Sequence, residues 1–195
     1  MKRVPRAALA LVGVLVLALT GCTWSKASVA AQVGDVTISV AEIDQLAAGI
    51  VAAYNAAQNP VDPSIATRVA VQGLVVGTLL NQADDKGESI LPAASVTSLT
   101  QPDPTLTDPT QIAQAQTLAT LVKTIMAVPG GTDWLRGELT LGQTQPSAAV
   151  STALTSLIQS VPVTVNPRFG NWDASAGGFV PEGGSLSVPA PTPAP

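Results

Sequence analysis

Histidine is absent from this chain of 195 residues, and cysteine occurs once, at Cys22. Without imidazole, the usual general base and the usual nitrogen ligand for a metal are both missing. A single thiol can form neither an intramolecular disulfide nor a thiolate cage. Charged residues make up only 11% of the chain, and nowhere do lysines and arginines cluster as nucleic-acid phosphates require, so no nucleic-acid partner is expected. Asp84, Asp85 and Glu88 gather near one helix end, where calcium is conceivable but a solvated, charged helix terminus is the common meaning. Asp133 and Asp173 each adjoin a tryptophan, with nothing in the sequence to bring them together. No catalytic constellation, metal set or cofactor is implied, and the chain does not read as an enzyme.

What the sequence does hold begins with an export signal. Lys2, Arg3 and Arg6 precede an unbroken apolar run from Ala7 to Leu19, too short for a comfortable permanent span and closed by small residues. Leu19-Thr20-Gly21-Cys22 resembles the lipobox of bacterial lipoproteins, in which the residue matching Cys22 becomes the new N-terminus and carries the lipid. Several acyl chains on one residue anchor stably, each buried methylene adding about 0.8 kcal/mol. Residues 1–21 are therefore expected to be removed and residues 22–29 to form a lipidated tether. Trp24 sits on that tether, where an indole suits the membrane interface as well as water. Removal of the signal lowers nine basic side chains to six against thirteen acidic ones, taking the net charge from −4 to −7. So acidic a body does not adhere to anionic lipid heads, and attachment to the extracytoplasmic face of the membrane rests on the anchor.

The folded part opens with Ala30 to Val33 and Val36 to Ile38, two short apolar-rich runs around Gly34-Asp35, a two-residue hairpin signal. Ser39 and Glu42 follow in capping-box spacing, so a helix starts at once. Ile43, Leu46, Ala47, Ile50, Val51 and Tyr54 mark one stripe of that helix, to about Gln58. Asp62-Pro63 predicts an N-cap and first helical position, with the next helix ending near Lys86-Gly87. Ile65, Val69, Val76 and Leu80 mark one face of it and Val71, Leu74, Val75 and Leu79 an adjoining one, which makes it a central helix. Gly73 and Gly77 cost up to about 1 kcal/mol each against alanine, and a close helix crossing is the sensible return. Arg68, Gln72, Asn81 and Gln82 interrupt the run, which argues against a transmembrane pairing motif.

Further on, Pro92 opens a short helix with Val96 and Leu99. Asp108-Pro109 starts another, with Ile112, Ala115, Ala119, Val122, Ile125 and Met126 in line to about Val128. Pro129-Gly130-Gly131 breaks the chain before helices over 132–142 and 146–160. Strand chemistry returns at Val161 to Asn166. A lone strand must satisfy its amides beside others, and the hairpin at residues 30–38 is the only candidate. The predicted fold is mainly α, residues 30–175, with a small sheet joining the N-terminal hairpin to the C-terminal strand. Arg168, Phe169 and Trp172 are expected to lock that strand against the helices. Residues 176–195, rich in Gly, Pro, Ser and Ala, read as a disordered tail.

Val33-Gly34-Asp35-Val36-Thr37-Ile38-Ser39, leading into Glu42 and Ile43, resembles the opening of the SurA N-terminal chaperone domain, shared with PrsA-like foldases. Val165-Asn166-Pro167-Arg168-Phe169-Gly170-Asn171-Trp172-Asp173 is similar to the close of SurA-like lipoproteins from high-GC Gram-positive bacteria. The resemblance implies a helical holdase that binds unfolded or nascent exported polypeptides. The parvulin-type prolyl isomerase domain that some members carry uses histidines and a sheet of its own; neither is present, so only binding carries over. The alternative is a structural lipoprotein, or one carrying a small apolar ligand or lipid between its helices. Leu74, Val75 and Leu79 are the candidate binding residues. A closed cavity beside them favours the carrier, an open groove favours the holdase, and a filled core is the ordinary meaning of such a stripe.

Overall fold

At Gly34 the backbone takes φ +57°, the left-handed geometry that a tight turn between Val33 and Val36 demands. The computed structural model of the chain describes residues 28–142, 148–175 and 178–180. Strands β1 (Val29–Val33) and β2 (Val36–Ser39) form the antiparallel hairpin around that turn. One extra residue on β1 makes a bulge at Ala30, so Ala30 and Ala31 are both buried, which simple alternation would forbid. The capping box is complete: the Ser39 amide donates to Glu42 Oε2 at 2.6 Å and the Glu42 amide to Ser39 Oγ at 3.1 Å.

Helix α1 (Val40–Ala56) buries Ile43, Leu46, Ala47, Ile50 and Ala53, whereas Val51 and Tyr54 on the expected stripe are only partly buried. It ends two residues early because Gln58 turns left-handed at φ +57° and the Asn59 amide reaches back to the Tyr54 carbonyl at 3.0 Å. Helix α2 (Pro63–Asp85) is the centre of the molecule. Asp62 caps it by accepting from the Ser64 amide at 2.7 Å, and Gly73 to Leu80 are buried without a break. It is long and apolar enough to cross a membrane by length and composition, and 61% of its most apolar stretch lies inside the fold.

The chain continues through α3 (Ala93–Ser98), α4 (Pro109–Met126), α5 (Gly131–Leu141) and α6 (Ala148–Ser160). Pro146, expected at the head of α6, lies outside the described residues. The expected close crossing is the packing of α2 on α5, and it is made backbone to backbone. A Cβ on Gly77 would lie 2.0 Å from the Asp133 carbonyl oxygen, and one on Gly137 would lie 1.9 Å from that of Gly73. Trp134 closes the seam with its indole N–H on the Val69 carbonyl at 3.0 Å.

Strand β3 (Val163–Val165) returns as expected and pairs antiparallel with β1, giving the order β2-β1-β3. Three contacts tie this sheet together: the Gly34 amide on Pro162 O at 2.8 Å, Gln82 Nε2 on Val33 O at 2.8 Å, and Asn166 Nδ2 on Val29 O at 3.1 Å. A 3-10 turn (Pro167–Phe169) leads from β3 to a second antiparallel pair, β4 (Asn171–Asp173) with β5 (Gly178–Val180). The described fold thus runs past the boundary expected at residue 175. Trp172 and Phe179 face each other across this pair, edge to face at 5.3 Å, and that aromatic contact gives the short strands a reason to form.

Candidate functional site

The C-terminal turn and the first half of α2 enclose an open cleft of about 870 Å3. Ser64, Thr67, Arg68 and Gln72 of α2 form one wall, and Arg168, Phe169 and Gly170 of the 3-10 turn with Phe179 and Val180 of β5 form the other. Asn166 positions the turn: its Oδ1 accepts from the Arg168 amide at 3.2 Å, and Pro167 fills the first turn position. Gly170, at φ +132°, lets the Phe179 ring approach to 3.3 Å from where a Cβ would stand. Phe169 is 9% exposed, and the Arg168 guanidinium lies over its ring at 4.3 Å. Arg168 was expected to lock the strand inward; instead it is exposed on the cleft, while Phe169 beneath it does the anchoring.

The hydrogen-bonding state of the lining decides what it can take. Ser64 Oγ already donates to Asp62 Oδ1 at 2.5 Å, and Thr67 Oγ1 to the Pro63 carbonyl at 2.9 Å. Among the described residues, neither Arg68 nor Arg168 has a carboxylate partner, because the one ion pair there joins Arg136 to Asp84. Stacking occupies the face of the Arg168 guanidinium and leaves its in-plane N–H groups available. Among the described residues, the lining carries no carboxylate. Beta strand β5 pairs with β4 on one side, and its other edge is unpaired among the described residues.

The residues singled out from sequence lie elsewhere. Leu74, Val75 and Leu79 are 6%, 0% and 0% exposed and belong to the core. They line neither this cleft nor two smaller ones on the described surface, and their burial leaves them no open groove. Leu74 stands beside the glycine seam and is met by Gly130 of the α4–α5 turn, whereas Val75 and Leu79 lie on the side of α2 away from that seam, within the core. Cys22 and residues 23–27 lie outside the described residues, and the end of the expected tether is already part of the fold: Val29 opens β1 and the Ser28 carbonyl accepts from the Val40 amide at 2.7 Å. Among the described residues no group of three or more His, Cys, Asp or Glu is placed to hold a metal. Asp84 is not simply a solvated terminus. It turns to Arg136 at 2.6 Å, and that arginine, 2% exposed, also donates to Asn81 Oδ1 and to the Leu91 carbonyl at 2.7 and 2.9 Å.

Two smaller clefts lie elsewhere on the described surface. One, of about 470 Å3, lies between the segment after α2 and α6, lined by Ile90, Val150 and Leu157 among others. The other, of about 340 Å3, runs between α1 and α4, where Thr117, Thr120 and Thr124 spend their hydroxyls on carbonyls one turn earlier. Glu138 of α5 is the one strongly shifted acid among the described residues, its carboxyl pushed up to about 7 by burial. Asp62, Asp103 and Asp108 are held below the ordinary range by hydrogen bonds from side chains and amides just after them. No family model, curated protein or solved structure matches the chain.

Proposed function

We propose that the protein is a lipid-anchored holdase on the extracytoplasmic face of the membrane, binding unfolded exported polypeptides with no isomerase or other catalytic step. The observation that carries this reading is the cleft beside α2, which sets phenylalanine rings and free side-chain donors beside β5, a strand with one edge unpaired among the described residues. An unfolded chain offers apolar side chains and unpaired backbone, and this lining presents a partner for each. The resemblance of residues 33–43 and 165–173 to the SurA N-terminal domain supports the same reading, as does the lipobox ending in Cys22. The rival, a carrier of an apolar ligand or lipid between helices, needs space beside Leu74, Val75 and Leu79, and those side chains are packed into the core.

The test is suppression of aggregation. The full chain, purified in mild detergent, is added in stoichiometric amounts to an exported protein diluted from denaturant, without nucleotide. Dose-dependent suppression above a detergent-only control is the expected result. No suppression by a demonstrably folded chain removes the holdase reading.

A further inference from the structure

The charge of the cleft runs against that of the protein. The chain carries thirteen acidic and nine basic side chains, yet among the described residues two arginines and no carboxylate line this one cleft. Its hydroxyls already donate within α2, so the free donors are the two guanidinium groups and the Gln72 amide. Low-dielectric walls of Phe169, Phe179 and Val180 concentrate the field of such cations toward whatever enters. Guanidinium groups match carboxylates in geometry, two N–H bonds to two oxygens. The unpaired edge of β5 favours an extended peptide over a lipid, because a strand edge offers backbone hydrogen bonds that an acyl chain cannot use.

We propose that this cleft selects acidic peptide segments: an extended chain lies along β5, its carboxylates on Arg68 and Arg168 and its apolar side chains against Phe179 and Val180. The assignment rests on the reading of the protein as a polypeptide binder and names the kind of segment it prefers. The carboxylates it takes are those of glutamate or aspartate side chains.

The experiment is calorimetric titration of the full chain in mild detergent with three acetylated peptides. The first alternates glutamate with valine and is amidated; the second has glutamine for each glutamate; the third is the glutamine peptide with a free C-terminus. Tighter binding of the first than the second, weakened on the order of fivefold by Arg68→Gln or Arg168→Gln and about tenfold or more by both, is expected for exposed pairs at low salt. The preference should shrink as salt rises, and Lys123→Gln on the far helix α4 should leave it unchanged. Preference for the third peptide over the second, with none for the first over the second, points to a C-terminal carboxylate and overturns the assignment to acidic segments. Equal binding of all three, or binding of laurate with none of the peptides, overturns the assignment. Aggregation suppression without preference for carboxylate overturns this assignment alone. Preference without suppression supports it and removes the holdase reading.

Discussion

Three side-chain decisions hold the centre of this molecule. The first is the absence of side chains at Gly77 and Gly137, where a methyl group would meet a carbonyl oxygen at about half the permitted distance. Backbone on both sides cannot yield as a flexible side chain can, so Gly77→Ala or Gly137→Ala should cost about 3 kcal/mol or more in urea unfolding. Gly87→Ala makes the contrast: nothing lies within 4 Å, and the loss should be only the strain of φ +80°, roughly 1 kcal/mol. The second decision is Arg136. Replacing it by methionine leaves Asp84 unpaired, with Oδ1 already lacking a partner, and should cost about 3 kcal/mol. That is the low end for a buried pair, because Asp84 retains 32% exposure. Asp84→Asn should cost less, since Arg136 keeps Asn81 and the Leu91 carbonyl. The third is Glu138. Its carboxyl titrates near 7 in the fold against 4.5 in the unfolded chain, so the folded form holds a proton that the unfolded form has lost between those values. Its contribution to stability is complete below pH 4.5 and is lost as pH rises through about 7. Thermal unfolding from pH 5 to 8 should show that decline, flattened in Glu138→Gln. The exposed aspartates act with the opposite sign and only near and below pH 3.8, outside this window.

Elements were legible in the sequence wherever their signals are local. Gly34-Asp35, the Ser39/Glu42 box and the two Asp-Pro starts each decide a turn or cap within four residues, and each stands where the sequence places it. Even the return of β3 to β1 followed from the need of a lone strand for partners. The β4–β5 pair was not legible, because three residues show no period and Gly178-Phe179-Val180 sits in a glycine-rich stretch; Phe179 was the one signal. Phe179 and Val180, two residues of the cleft lining, were lost with it. Arg136 was missed for another reason: a helical arginine is read as solvated unless its partners, here 45 to 55 residues away, are known. Leu74, Val75 and Leu79 were correctly read as apolar faces, but periodicity does not say that the rest of the fold covers them. The β4–β5 element can be tested by truncation. A chain ending at Val180 should keep the tryptophan emission of the full protein, whereas one ending at Ser175 loses Phe179 and should shift Trp172 emission to the red.

At the scale of the whole molecule, α2 divides the labour. Its second half is enclosed by α5 and held to the hairpin through Gln82, while its first half leaves Ser64, Thr67, Arg68 and Gln72 facing the cleft. The packed core and the candidate cleft are thus carried by different turns of one helix, and the cleft can be altered at Arg68 or Arg168 without entering the core. The central claim, that this cleft is where exported polypeptide binds, is tested most directly by hydrogen–deuterium exchange of the full chain with and without an unfolded client. Binding there should slow exchange in segments 64–72 and 167–180 and leave the α1–α4 face unchanged. Protection confined to the α1–α4 face or to the α6 cleft, or no protection at saturating client, would contradict it.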